Sequence, residues 1–327
     1  MEEKLITIGI TSYNAQNTIK DAINSAISQL WCNKEIIIVD DFSTDNSQAI
    51  IKSINFQGVK HKLIFKKENK GCSHSRNQII KNATGTYICF FDDDDVSHPD
   101  RINKQFNKLV SYQKKFKTNK IACYASSIRD YQNGYKKFDQ AIGSQNVVPV
   151  GKNIIDYHFS KNLKKNIFFG SGTPTSSLFI SKEIFNIVGY FDENLLRLED
   201  TDLAIRLGER HFHFIGCKEP LIKQFIYPAQ YKTGFANYES EMKLFRKYSN
   251  YIDEQYLKYI SLWHLMKANY FSGKVANFLL NISLLLIRYP KKSFQRIMSR
   301  GIRRLIHDFR INVSINFLIR KFKINEK

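Results

Sequence analysis

The 327-residue chain is 43% hydrophobic and 24% charged, with 25 Phe and 17 Tyr. That is enough apolar material for one large or two ordinary globular domains, and it excludes a disordered or fibrous chain. Fifty Lys and Arg against 30 Asp and Glu give a formal charge of +20, so an anionic partner is expected: nucleic acid, anionic lipid or a phosphorylated ligand.

In chain order, Leu5–Ile10 reads as a buried strand. Ile19, Ala22, Ile23, Ala26, Ile27 and Leu30 then recur on one helical face. Glu35–Val39 is a second strand, Gln48–Ile54 a weaker helix and Lys62–Phe65 a third strand. Ser73–Lys81 is a helix and Thr86–Phe91 a fourth strand. Near-continuous apolar strands alternating with helices predict an α/β fold with a mostly parallel central sheet covered on both faces. Such a sheet binds ligands at the carboxyl ends of its strands.

Pro99 suits the first turn of a helix carrying Ile102, Phe106, Leu109 and Val110. Residues 131–151 are turn-rich, and regular patterning returns at Ser176–Ile180, Glu183–Val188 and Asp200–Arg210. The last third differs, because residues 251–327 hold 15 Lys and Arg against 4 Asp and Glu. The expected division is an α/β domain over residues 1–230 and a basic helical C-terminal region over 231–327. The five cysteines, Cys32, Cys72, Cys89, Cys123 and Cys217, form no CxxC pair, and Met-Glu-Glu-Lys-Leu has no signal-peptide pattern. Disulfides and a zinc site are not expected, and a reducing cytoplasm is. Val275–Ile287 is the longest apolar stretch, too short and too interrupted by Asn277, Asn281 and Ser283 to span a bilayer.

The polar residues gather at the predicted strand ends. Asp92-Asp93-Asp94-Asp95 follows the fourth strand. Four adjacent carboxylates repel one another, and a divalent cation relieves that repulsion; Mg²⁺ or Mn²⁺ suits oxygen ligands shared with a phosphate. The alternative is a solvated acidic turn. Asp40-Asp41 ends the second strand, where Asp41 can accept from a base or a ribose hydroxyl while Ser43 or Asp45 caps the next helix. Tyr13 offers a stacking face, and Asn14 both a donor and an acceptor, in what is otherwise an ordinary turn. Arg76 suits a phosphate or, equally, the surface. Asp200 is either a helix-opening acid favoured by the dipole or a general base for an attacking hydroxyl.

Taken together, Ile10-Thr11-Ser12-Tyr13-Asn14, Ile38–Asp45, Asn69-x-Gly71-x-x-x-Ser75-Arg76-Asn77, Gly85–Asp95 and Glu199-Asp200 resemble a family-two glycosyltransferase of the GT-A fold, over about residues 5–215. The resemblance implies metal-dependent, inverting transfer of a sugar, of hexosyltransferase type, from a nucleotide-sugar donor, usually a UDP-sugar, to an acceptor hydroxyl of a glycan or lipid-linked glycan. It places Thr11, Tyr13 and Asp41 at the nucleobase and Asp93 at the ribose. Asp94, with Asp92 or Asp95, falls at the metal and diphosphate, and the run leaves open which of these acids meets the cation. Asp200 falls at the catalytic base.

For the tail, Arg288, Lys291, Lys292, Arg296, Arg300, Arg303 and Arg304 alternate with Ile297, Ile302, Leu305 and Ile306. Such patterning fits helices lying on an anionic membrane surface, which would place a peripheral enzyme at the inner face of the cell membrane. A helical bundle with a solvated basic face fits the same pattern. A nucleic-acid-binding protein using the basic tail is the competing function, but it does not explain the acidic strand ends. A nucleotidyltransferase lacks a glycine-rich nucleotide loop near the first strand.

Overall fold

A computed structural model describes residues 3–159, 168–226, 234–301, 306, 307 and 310. It divides into two compact units, Met1–Asp130 with Lys136–Phe225, and Tyr131–Tyr135 with Ile226–Lys327. The boundary expected at residue 230 and Ile302–Leu305 of the tail lie outside the described residues, as does the Arg300 side chain.

The first unit opens with β1 (Ile6–Ser12), α1 (Ile19–Ile27), β2 (Lys34–Asp40), α2 (Ser47–Ser53), β3 (Lys60–Phe65), α3 (Gly71–Asn82) and β4 (Tyr87–Asp92). There follow β5 (Asp95–Ser97), α4 (Arg101–Phe116), β6 (Ile121–Tyr131), β7 (Lys136–Asp139) and α5 (Lys152–Phe159). The unit closes with β8 (Leu178–Ser181), α6 (Ile184–Val188), α7 (Glu199–Glu209) and β9 (His213–Ile226). The strands form one sheet in the order β3-β2-β1-β4-β8-β6-β9-β5, with β7 on β6. The four strands read most clearly in the sequence, β3, β2, β1 and β4, pair in parallel, while β4–β8, β6–β8, β6–β7 and β5–β9 are antiparallel.

Alternation along the strands divides their apolar side chains between two cores. Ile8, Ile10, Ile36, Ile38 and Phe91 pack with α1 and α4 on one face. Ile37, Val39, Ile88 and Phe90 pack with α3, α6 and α7 on the other. Burial on both faces explains why these strands read as unbroken apolar runs. Gly9 lets α3 lie close to β1, since a Cβ there would fall 2.4 Å from Cγ2 of Ile79.

Behind the acidic strand end lies a cation that the sequence pattern did not single out. Arg101 is fully buried and donates to the carbonyl oxygens of Phe90 at 3.0 Å and Ser176 at 2.7 Å, to Ser97 Oγ at 2.9 Å and to Gln105 Oε1 at 3.0 Å. It thereby fixes α4 and β5 to the end of β4.

The second unit contains α8 (Gly234–Lys247), α9 (Glu254–Phe271), α10 (Val275–Arg288) and α11 (Pro290–Arg296), followed by a π-turn at Ile297–Gly301. Asp253 caps α9 by accepting from the Tyr256 N–H at 2.7 Å, and Pro290 opens α11 where no N–H partner is needed. Lys292 lies over the rings of Tyr256 and Tyr259, and Arg296 lies 5.1 Å from the Trp263 ring, so α11 is held to α9 through cation–π contacts. Among the described residues no helix is long and apolar enough to cross a membrane.

Candidate active site

Parallel pairing brings the ends of β1, β2 and β4 to one edge. Thr11 sits opposite both Val39 and Asp92, and Ser12 opposite Asp40. The Asp41 N–H donates to the Ser12 carbonyl at 2.8 Å. Asp41 is buried, and its carboxylate accepts from Lys66 Nζ and from the Lys70 N–H at 3.0 Å. Asn14 ties the β1–α1 and β2–α2 loops together: its Oδ1 accepts from the Thr44 N–H at 2.9 Å, and its own N–H donates to Ser43 Oγ at 2.9 Å. Its side-chain oxygen is therefore already engaged within the protein. Tyr13 donates its backbone N–H to Asp93 Oδ2 at 2.8 Å and leaves its side chain 49% exposed.

Next to it Phe42 is 43% exposed and has φ +65°, a conformation rare for a bulky residue. Asn14 at φ +50° and Leu198 at φ +66° share that region. Phe42 directly follows Asp41, and Leu198 directly precedes Glu199 and Asp200, each in a left-handed conformation. No sequence signal marked Phe42 or Leu198.

Asp92, Asp94 and Asp95 each offer a carboxylate oxygen within 4.8 Å of the others. Burial first, and then the charges of Asp92 and Asp94, push the Asp95 carboxyl well above its ordinary range, against the Gln224 side chain that donates to it at 3.0 Å. Burial also pushes the Asp93 carboxyl up to about 8, opposed by the Tyr13 N–H and reinforced by Asp94 and Asp92. Three carboxylates drawn this close form an all-oxygen donor set, which fits Mg²⁺ or Mn²⁺. Gln224 reaches Asp95 because β5 pairs with β9 in a register that sets the two residues opposite each other. This residue was missed because nothing in the sequence signals a pairing across 129 positions.

Arg76 is buried rather than at the surface. It is only 7% exposed, and its Nη1 donates to Glu199 at 2.5 Å while its Nη2 lies 3.4 Å from Asp92. The thiol of Cys72 also donates to Glu199, at 3.2 Å. The guanidinium is held by carboxylates because Asp92 at the end of β4 and Glu199 at the start of α7 both reach this side chain of α3. Glu199, whose role the sequence left unassigned, is the residue that joins these parts. Beside it, burial first and the Glu199 charge second raise the Asp200 carboxyl to about 6, opposed by Arg76 and by hydrogen bonds from Thr201. The Thr201 N–H donates to Asp200 at 2.6 Å. A carboxylate titrating near 6 suits a general base better than an ordinary exposed aspartate does.

The model for the family described as "Glycosyl transferase family 2" matches residues 7–180. A glycosyltransferase of Rickettsia prowazekii is 33% identical over 232 residues, 69% of this chain and 65% of that protein. An Escherichia coli UDP-Glc:alpha-D-GlcNAc-diphosphoundecaprenol beta-1,3-glucosyltransferase is 33% identical over 110 residues, 34% of this chain and 43% of that one. The chain spans less than two thirds of the length of these curated relatives. Among solved structures, S. aureus TarS 1-349 in complex with UDP-GlcNAc aligns with a TM-score of 0.56 at 16% identity, covering 93% of this chain and 87% of that one. A Pyrobaculum calidifontis mannosyltransferase in complex with GDP-Man and Mn2+ aligns with a TM-score of 0.54 at 14% identity, covering 93% and 86%. The likeness extends to the curled α/β sheet of the GT-A fold.

Proposed function

This chain belongs to glycosyl transferase family 2, and on that premise we propose that it moves a sugar from a UDP-sugar to a hydroxyl of a glycan or lipid-linked glycan, with inversion and with a divalent cation. The observation that carries the reading is the convergence of Asp92, Asp94 and Asp95 at the end of β4, joined through Arg76 and Glu199 to the helix that bears Asp200. The E. coli relative named for UDP-Glc and the S. aureus neighbour holding UDP-GlcNAc support uracil as the base. The diphosphoundecaprenol in the E. coli relative's name supports a lipid-linked acceptor, and with it a place of work at an anionic membrane surface facing the cytoplasm.

In this proposal Asp41 and Thr11 receive the base, the exposed Tyr13 ring stacks on it, and Asp93 accepts from the ribose. Asp92, Asp94 and Asp95 hold Mn²⁺ or Mg²⁺, which when bound neutralises charge on the departing diphosphate. Asp200 accepts the proton of the acceptor hydroxyl as its oxygen forms a bond to the anomeric carbon and the bond from that carbon to the diphosphate oxygen breaks. Arg76 keeps Glu199 and Asp92 in place, so that the base and the acidic cluster stay in register.

A thermal-shift screen of nucleotide-sugars with and without Mn²⁺ tests the proposal. Stabilisation by a UDP-sugar that requires the metal is the expected result. A chain that responds to no nucleotide, yet binds nucleic acid tightly in low salt, would assign the positive charge to a nucleic acid instead.

A further inference from the structure

Helix α10 carries four of its large aliphatic side chains outward. Asn281 and Leu285 are its only buried residues among those described, whereas Leu279, Leu280, Leu286 and Ile287 are exposed, Leu280 at 59% and Ile287 at 76%. Phe294 of α11 and Met298 just after it are exposed as well. Spacing of i, i+1, i+7 and i+8 places the four aliphatic residues on one side of the helix. An amphipathic helix normally turns such a side toward a core, and none of the described residues of the unit covers this one.

Charge identifies what covers it. Between Glu254 and Asp308 the sequence has ten Lys and Arg and not one Asp or Glu. Of these, Lys274, Arg288, Lys291 and Lys292 are exposed at the ends of α10 and along α11. A second copy would set this positive rim against itself, and a neutral apolar partner would leave the cations unmatched. An anionic lipid surface takes both the aliphatic face and the basic rim.

We propose that the outward face of α10, continued by Phe294 and Met298 and rimmed by Arg288 and Lys291, is the surface by which this protein docks on anionic bilayers. The inference rests on the membrane reading given above and names the face responsible. It does not depend on which sugar or acceptor is used.

The test is flotation of the full chain with vesicles of phosphatidylcholine alone and of equal parts phosphatidylcholine and phosphatidylglycerol, with UDP affinity measured in parallel as a control for folding. The wild type is expected to float with the anionic vesicles and to stay behind with the neutral ones. The pair Leu280→Ser and Ile287→Ser should lower anionic-vesicle partitioning at least about tenfold. The pair Arg288→Ser and Lys291→Ser should lower it about 30-fold, with loss of the same size on raising salt. Both pairs should keep wild-type UDP affinity. Wild-type flotation that neither pair reduces would overturn the assignment of this face while leaving membrane docking intact. A wild type that binds UDP but does not float overturns both. A concentration-dependent dimer that the serine pair on α10 dissolves would assign the face to a second copy instead.

Discussion

Arg76 donates to Glu199 at 2.5 Å, and the other end of the same guanidinium faces Asp92 at 3.4 Å. One buried cation therefore ties α3 to the start of α7 and to the end of β4. The two carboxylates belong to the two halves of the proposed site, the base helix and the acidic cluster. Neither half is covalently close to the other, since 107 positions separate Asp92 from Glu199.

Removing this cation leaves Glu199 buried without its charge partner. A broken buried pair costs roughly 3–5 kcal/mol, so Arg76→Gln should lower unfolding stability by about that much. Arg76→Lys should fall between, because a compact ammonium does not span two carboxylates as a guanidinium does. Urea unfolding followed by far-UV circular dichroism measures both, and a glutamine variant with the wild-type midpoint would contradict the clamp.

For Asp200 the sign of the pH effect follows from a carboxyl raised from 3.8 to about 6. The folded chain holds the proton more tightly than the unfolded chain between those values. Stability contributed by protonated Asp200 is thus present at low pH and lost as pH rises across that window. Activity runs the other way, because a proposed base must be ionised. Its kcat/KM should climb through about pH 6 and level off above, while Asp200→Asn should be slower by about 100- to 10,000-fold with UDP affinity kept. A full pH–rate profile of both forms decides it, and an asparagine variant with near-normal turnover removes Asp200 from the role.

Metal binding should depend on pH through the same linkage. Asp93 is raised to about 8 and Asp95 well above its ordinary value, so without a cation the folded chain retains protons that the unfolded chain releases. Its stability therefore declines as pH rises from about 4 toward 8. A divalent cation held by Asp92, Asp94 and Asp95 displaces the Asp95 proton, and the rise in melting temperature on adding Mn²⁺ should be larger near pH 8 than near pH 5. Asp94→Asn should shrink the rise, and a chelator should abolish it. Equal Mn²⁺ shifts at both pH values would count against the cluster as the cation site.

The parallel strands and the acidic run were legible because both are local: β1, β2 and β4 are short apolar runs, and Asp92–Asp95 are adjacent. The antiparallel half of the sheet was not, since β6, β8 and β9 are brought together only by tertiary packing. Arg101 gave no hint of being fully buried, because a lone arginine after Pro99 and Asp100 reads as the exposed start of a helix. Arg76 was noticed for the right reason, its charge, but the carboxylates that use that charge lie on distant elements. Phe42 and Leu198 were invisible because their unusual backbone angles are imposed by their surroundings rather than by their own side chains.

Tyr13 separates ligand binding from stability. Its contribution to the fold within the site runs through the backbone N–H that donates to Asp93, and any residue but proline supplies that group. Its ring is about half exposed. Tyr13→Ala should then leave unfolding stability within about 0.5 kcal/mol of wild type. It should still weaken UDP binding by about 1–3 kcal/mol, the range for a base stacked on an aromatic side chain. Tyr13→Phe keeps the stacking face and should bind UDP as the wild type does. Calorimetric titration of the three proteins with UDP and Mn²⁺ reads the difference directly. If alanine binds as well as tyrosine, the base lies elsewhere along the strand ends, and the neighbouring exposed ring of Phe42 becomes the next residue to replace.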